Sequence, residues 1–189
     1  RTTPEGIEVE FELHNVINQE SILAKKVLGG HDNARDVAHR ISDMVFETIN
    51  GIEGIFGTRI MYVTDATMME ESKRYRLMLA DQDGARDQLL TESSQPLMSP
   101  TWSPDGTHVA YVSFETGRPA IFTQELSTGI RQQLTNFKGI NGAPAWSPDG
   151  TKMAMSLSKD GNPEIYVLDI ASGEFNRVTN HFSIDTEPN

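Results

Sequence analysis

There is no cysteine among the 189 residues. Disulfide staples, thiol nucleophiles and cysteine-ligated zinc are therefore excluded, and the chain carries no imprint of a redox compartment. Cations are scarce, with 16 Lys and Arg against 27 Asp and Glu and a net charge of −11. Nucleic acid and anionic membrane surfaces need clustered positive charge to displace counterions, so neither is expected as a partner. No apolar run approaches the ~20 residues that cross a bilayer, so no transmembrane segment is expected, and no stretch of the given sequence reads as a signal peptide, which a fragment would have lost. His14, His31, His39, His108 and His181 show no metal-ligand spacing, and neither a Gly-rich phosphate loop nor a Gly-x-Ser-x-Gly elbow occurs. No cofactor or metal is expected.

What the chain does have is a copied unit. Thr101-Trp102-Ser103-Pro104-Asp105-Gly106-Thr107 returns as Ala145-Trp146-Ser147-Pro148-Asp149-Gly150-Thr151, 44 positions later. The same offset carries Gly129 to Gly173, Leu134-Thr135-Asn136 to Val178-Thr179-Asn180, and Pro100 to Pro144 and then Pro188. A period of ~40–45 residues holding four strand-sized segments is the signature of a propeller blade. In the copy from Pro144 the strands expected are 143–147, 152–158, 164–170 and 175–179, joined by turns at Pro148-Asp149-Gly150, Lys159-Asp160-Gly161-Asn162-Pro163 and Ala171-Ser172-Gly173-Glu174. Trp beside a tight Asp-Gly turn fills the gap between neighbouring sheets, and the Asp side chain bonds local amides, so Asp105 and Asp149 are expected to be turn residues rather than catalytic ones.

An earlier, degraded copy spans Thr58–Thr64, Tyr75–Asp81 and Leu90-Thr91, with no Trp-Ser-Pro-Asp-Gly before it. Its innermost strand is expected to come from elsewhere in the protein. Upstream, Ile7, Val9, Phe11 and Leu13 alternate with Glu8, Glu10, Glu12 and His14, the period of a half-buried strand, and a second strand is expected over Ser21–Leu28. From Asp32 to Asn50 the period becomes helical, with Ala34, Val37, Ala38, Ile41, Val45 and Ile49 on one stripe, a cap at Asp32 or Asn33, and Gly51 as the stop. The fold class expected is α+β: the C-terminal portion of a small α/β domain over 1–56, then an incomplete β-propeller over 57–189 with about three four-stranded blades. Closure takes ~4–8 blades. The start at Arg1 without Met and the stop at Asn189, one position short of a third Trp, also lead us to expect a fragment.

Three constellations invite a chemical reading and fail it. His39, Ser42 and Asp43 share a helix face, but mid-helix amides are already bonded and offer no oxyanion hole. Asp81-Gln82-Asp83-Gly84 opens like a calcium loop, yet Ala85 and Arg86 stand where an oxygen ligand and a glycine are needed, so a hairpin turn is expected. The Trp-Ser-Pro-Asp-Gly aspartates are covered by turn chemistry. The linkers behave differently. Each connection between repeats ends at a matching proline, so Glu92–Ser99, Phe137–Ala143 and Phe182–Glu187 are expected to gather at one mouth of the channel, where binding loops on a rigid scaffold belong.

The repeat, the linker Pro96-Leu97-Met98-Ser99-Pro100, the segments Asn141-Gly142-Ala143-Pro144 and Thr186-Glu187-Pro188, and the helix signature His39-x-x-Ser42-Asp43-x-Val45-Phe46-Glu47 together resemble the TolB family of the Tol-Pal system. The resemblance covers nearly the whole chain. It implies a periplasmic, non-enzymatic protein, an N-terminal α/β domain followed by a six-bladed propeller, and a role in outer-membrane integrity and cell division. It also implies binding of the lipoprotein Pal through the propeller mouth, of TolA through an extreme N-terminal segment absent from this sequence, and of group A colicins on the same propeller surface. Asn141, Gly142, Ala143 and Thr186 match the family pattern at the implied Pal contacts, and Met98, Ile140, Asp185 and Glu187 complete the expected partner-binding set. Ile140 departs from the family, which often carries His there, so an apolar contact replaces a hydrogen bond at this position.

Other readings remain open to the residues. Similar repeats occur in prolyl-oligopeptidase-like serine peptidases, where a propeller gates a catalytic domain that this chain would lack. A general outer-membrane or surface adaptor could use the same blades.

Overall fold

The computed structural model describes residues 2–3, 6–65 and 73–189. The chain divides into two compact units, Arg1–Ile60 with Ala80–Asp87, and Met61–Leu79 with Gln88–Asn189. Among the described residues no helix is long and apolar enough to cross a membrane.

In the first unit the alternating segment forms β2 (Gly6–His14) between β1 (Thr2–Thr3) and β3 (Ser21–Gly29), an antiparallel sheet in the order β1-β2-β3. Register sets Val9 against Val27 and Leu13 against Leu23 on one face and Glu10 against Lys26 on the other, although Lys25 falls opposite Phe11 and Leu28 opposite Glu8. Helix α1 (Ala34–Asn50) lies on the sheet with Val37 buried. A Cβ at Gly29 would stand 2.3 Å from Val37 Cγ2, so the glycine is what lets the helix approach. Of the expected stripe, Val37 is buried, Ile41 and Val45 are half-buried, and Ala34, Ala38 and Ile49 are exposed.

Asn33 occupies the N-cap position without a side-chain cap bond. The first turn is held instead by ion pairs to the hairpin at 81–87, where Arg35 Nε and Arg86 Nε reach Asp81 Oδ2 at 2.9 and 2.8 Å and Arg86 Nη2 reaches Asp36 Oδ1 at 2.6 Å. The Arg86 and Arg35 guanidiniums hold the Asp81 carboxyl below the usual carboxylate range against the effect of burial. At the other end Gly51 takes the left-handed stop, at φ 72°.

The repeats form three successive sheets. The first holds β4 (Arg59–Asp65), β5 (Tyr75–Asp81) and β6 (Gln88–Ser93), and it is three-stranded among the described residues, as the missing Trp motif foretells. The second holds β7 (Leu97–Trp102), β8 (His108–Ser113), β9 (Ala120–Glu125) and β10 (Arg131–Gln133). The third holds β11 (Asn141–Trp146), β12 (Lys152–Leu157), β13 (Glu164–Asp169) and β14 (Phe175–Arg177). Both four-stranded sheets are open antiparallel meanders in sequence order.

The core lies between the sheets. Val109, Tyr111, Ala120 and Phe122, on one face of β8 and β9, pack with Leu77 and Leu97, and Trp102 closes that layer. Ala110, Val112 and Ile121, on the other face, pack with Met153, Met155, Leu157, Tyr166 and Leu168, and Trp146 closes the next. Residues 120–124 of β9 are buried on both faces, whereas β13 alternates, with Tyr166 and Leu168 buried and Ile165 and Val167 half-buried. In this chain a sheet covers only one face of β13, so the second stays partly open.

Turn chemistry at the motif is as expected. Ser103 Oγ donates to Asp105 Oδ1 at 2.6 Å, Thr107 N donates to the same oxygen at 3.0 Å, and Ser147, Asp149 and Thr151 repeat the pattern. The seryl hydroxyls and turn amides hold both carboxyls down to about 2. Asp43, the one carboxylate of the helix constellation, accepts Phe56 N at 2.7 Å and Gly57 N at 3.1 Å, so it fastens the chain that leaves the helix.

Candidate partner-binding site

Three linkers share one backbone event, two of them where the chain enters β7 and β11. Ser99, Ala143 and Glu187, each immediately before a proline, have φ of 47°, 49° and 57°. Proline disfavours compact conformations in the residue before it, and a left-handed L-residue costs roughly 1–2 kcal/mol. Strain repeated at equivalent non-glycine positions is an outlier of the kind that collects at working sites. It coincides with a register shift between Met98 and Thr101 and another between Gly142 and Ala145, bulges that turn the strand entry outward.

The eight expected residues play different parts. Asn141 is fully buried; its Nδ2 donates to Phe137 O at 2.8 Å and Gly139 O at 3.2 Å, and its Oδ1 accepts Phe137 N at 3.2 Å. It staples the linker from within and presents no surface. Ile140 has its backbone tied to Ser158 through Ile140 N to Ser158 Oγ at 2.7 Å, while its side chain is 46% exposed. Gly142 faces open space, since a Cβ there would meet nothing within 4 Å. Ala143 and Asp185 are half-buried, and Thr186 and Glu187 are exposed. Met98, 51% exposed, sits on β7, the strand beside β11.

Ser156 joins two of the linkers. It stands opposite Gly142 in the sheet, its Oγ donates to Thr186 Oγ1 at 3.3 Å, and it accepts Glu187 N at 3.2 Å. Asp185 N donates to Pro163 O at 3.0 Å, which ties the same linker to the β12–β13 turn. The segment before it hangs on Glu164, buried and absent from the expected set. Its carboxylate accepts Thr179 Oγ1 at 2.5 Å, His181 N at 2.8 Å and Arg177 Nη2 at 3.0 Å. The Thr179 hydroxyl, the His181 amide and the Arg177 guanidinium hold Glu164 down to about 2.

Ser156, Ser158 and Glu164 were not anticipated, although a signal exists. Their counterparts 44 positions earlier are Val112, Phe114 and Ala120, so each marks a place where the copy departs from its predecessor.

The Glu164 network has a pH consequence. A carboxyl whose folded pKa lies below its unfolded value of about 4.5 stabilises the fold fully above that value, and the contribution is lost as pH falls towards 2. Glu164→Gln in the full-length protein should therefore lower the urea midpoint most at pH 7, and the gap from wild type should narrow steadily below about pH 4.5. Chemical denaturation at pH 7, 4.5 and 3 measures this; a gap that does not change with pH would refute it.

Among the described residues no cluster of His, Cys, Asp or Glu could hold a metal ion. The linkers expose Ile140, Phe182, Ile184 and Thr186 beside the carboxylate of Glu187.

Residues 46–189 match the TolB beta propeller domain family. The chain belongs to the TolB family. It is 52% identical over 143 residues to the Tol-Pal system protein TolB of Pseudomonas syringae pv. syringae, covering 75% of this chain and 33% of that protein. A crystal structure of TolB from Acinetobacter baumannii superimposes with a TM-score of 0.90 at 41% identity, over 98% of this chain and 46% of that one. The chain thus spans about a third of the length of the curated TolB relatives it matches. The tricorn protease, at 16% identity and a TM-score of 0.51 over 69% of this chain and 13% of its own, shares the fold alone. Among the described residues the chain is mostly β-sheet with one helix, matching part of a TolB propeller.

Proposed function

We propose that this chain is part of a non-enzymatic, periplasmic scaffold of the Tol-Pal system that binds Pal through the linkers at one end of its sheets, and so supports outer-membrane integrity and division. The observation that carries the reading is the junction at Ser156, which ties the linkers 137–143 and 182–187 together at Gly142, Thr186 and Glu187 and supports one surface that Ile140, Ala143 and Met98 on the neighbouring β7 would extend. Asn141 acts there by fixing the backbone of its neighbours. The complete ring would have six blades and the first unit would belong to an α/β domain. Group A colicins would meet the same surface, and TolA would bind outside the residues of this chain.

The shared name of the relatives supports the Tol-Pal assignment, and the exposed apolar and hydroxyl character of the linkers supports binding over chemistry. The peptidase reading draws only on distant likeness of fold. Immobilised full-length protein, presented with the soluble domains of Pal and of unrelated lipoproteins, should retain Pal alone. Equal retention of all of them would favour a general adaptor, and no retention would remove Pal from the account.

A further inference from the structure

At the end of the strands away from the linkers, the sheets β7–β10 and β11–β14 part to leave a groove of about 590 Å3. That volume lies within the range of ligand sites, ~300–1,000 Å3. Its apolar surface comes from Pro104, Ile130 and Leu134 on the side of β7–β10 and from Trp146, Pro148 and Ile170 on the side of β11–β14. Ile130 is 68% exposed, although the chain has water-facing alternatives for this turn: the residue 44 positions on is Glu174. The apolar wall therefore belongs to this junction and is not a packing need of every blade.

The groove is rich in carboxylates. Asp105, Glu125 and Asp149 line it beside His108, and no Lys or Arg is among the lining residues. All three carboxylates are ionised at neutral pH: the Ser103 and Ser147 hydroxyls hold the two aspartates down to about 2, and the Thr128 and Ser127 hydroxyls hold Glu125 below its ordinary value. Their lone pairs are partly committed to the turns, and among the described residues no group of acids converges as a metal site would require. A cation on an organic stem suits the groove better than a bare ion, because the stem can lie along the isoleucines while the head meets the carboxylates. Beside the groove runs β10, an edge strand that contributes Gln132 to the lining, and an edge backbone can pair with an extended chain.

We propose that this groove docks an extended peptide segment of a partner protein in which aliphatic side chains alternate with Lys or Arg. The site is separate from the linker surface and stands whether or not that surface binds Pal.

The test uses full-length protein and fluorescein-labelled hexapeptides with Leu at alternate positions and Lys, Arg, Gln or Glu between. The Lys and Arg peptides should bind saturably and weaken with salt, and the Gln and Glu peptides should bind at least tenfold more weakly. Ile130→Ser, a change on the protein surface, and Glu125→Gln should each weaken the Lys peptide about tenfold while leaving circular dichroism and Pal binding unchanged. Absence of saturable binding by both basic peptides, equal binding by the Gln peptide, or indifference to both variants would overturn the proposal.

Discussion

Ala143→Trp in the full-length protein should reduce Pal affinity at least 100-fold, about 2.7 kcal/mol, with the melting temperature within about 2 °C of wild type. The reasoning starts from the backbone. Ala143 already holds φ at 49°, so an unbranched larger side chain adds little conformational cost, whereas a β-branched one would strain the turn. Ala143 is only half-buried, so the indole is expected to project over the surface a partner must cover. The fold survives and the contact is lost. Ala143→Gly supplies the control: it relieves the left-handed strain, adds no bulk, and should bind within about threefold of wild type. Isothermal titration against soluble Pal and a thermal melt of each variant decide the matter. Unchanged binding by Ala143→Trp would take the site away from this linker.

The second large effect concerns the gap between sheets. Trp146 packs on the layer that holds Ala110, Val112, Ile121, Met153 and Met155, and its Nε1 is buried with no hydrogen-bond partner among the described residues. Trp146→Ala should cost about 3 kcal/mol, from lost burial and the cavity left behind. Trp146→Phe should cost less than about 1 kcal/mol. It loses ring volume but removes a buried N–H that has no acceptor, a group whose desolvation costs ~1–3 kcal/mol. Urea unfolding of full-length variants measures both values. A Phe variant as damaged as the Ala variant would mean that the indole N–H contributes after all, through an acceptor in the complete protein.

Much of this fold could be read from the chain because the copying is explicit. Trp102 and Trp146, the Asp-Gly turns and the three prolines set the order and spacing of the sheets, and the missing motif before Thr58 announced a three-stranded first sheet. The alternation from Ile7 to Leu13 and the Gly51 stop gave the hairpin strand and the helix end. What was hidden depends on long-range contact. The grouping of residues 80–87 with the N-terminal unit comes from Arg35, Arg86 and Asp81, which are 46 and 5 positions apart in pairs and carry no periodic mark. Asn141 matched the family pattern as a contact, yet a side chain with two donors and an acceptor can serve its own loop as readily as a partner, and burial decides between them. Ser156 and Glu164 were concealed for a related reason. Pattern-matching rewards positions where the copies agree, while the polar groups that tie one particular linker to its sheet lie where they disagree.

Hydrogen exchange on the full-length protein, with and without soluble Pal, tests the central claim most directly. Protection on binding should concentrate at residues 97–99, 137–143, 156–163 and 182–187, leaving 103–108, 125–130 and the β2–β3 hairpin as they were. Protection confined to those latter segments, with the linkers still exchanging freely, would contradict it.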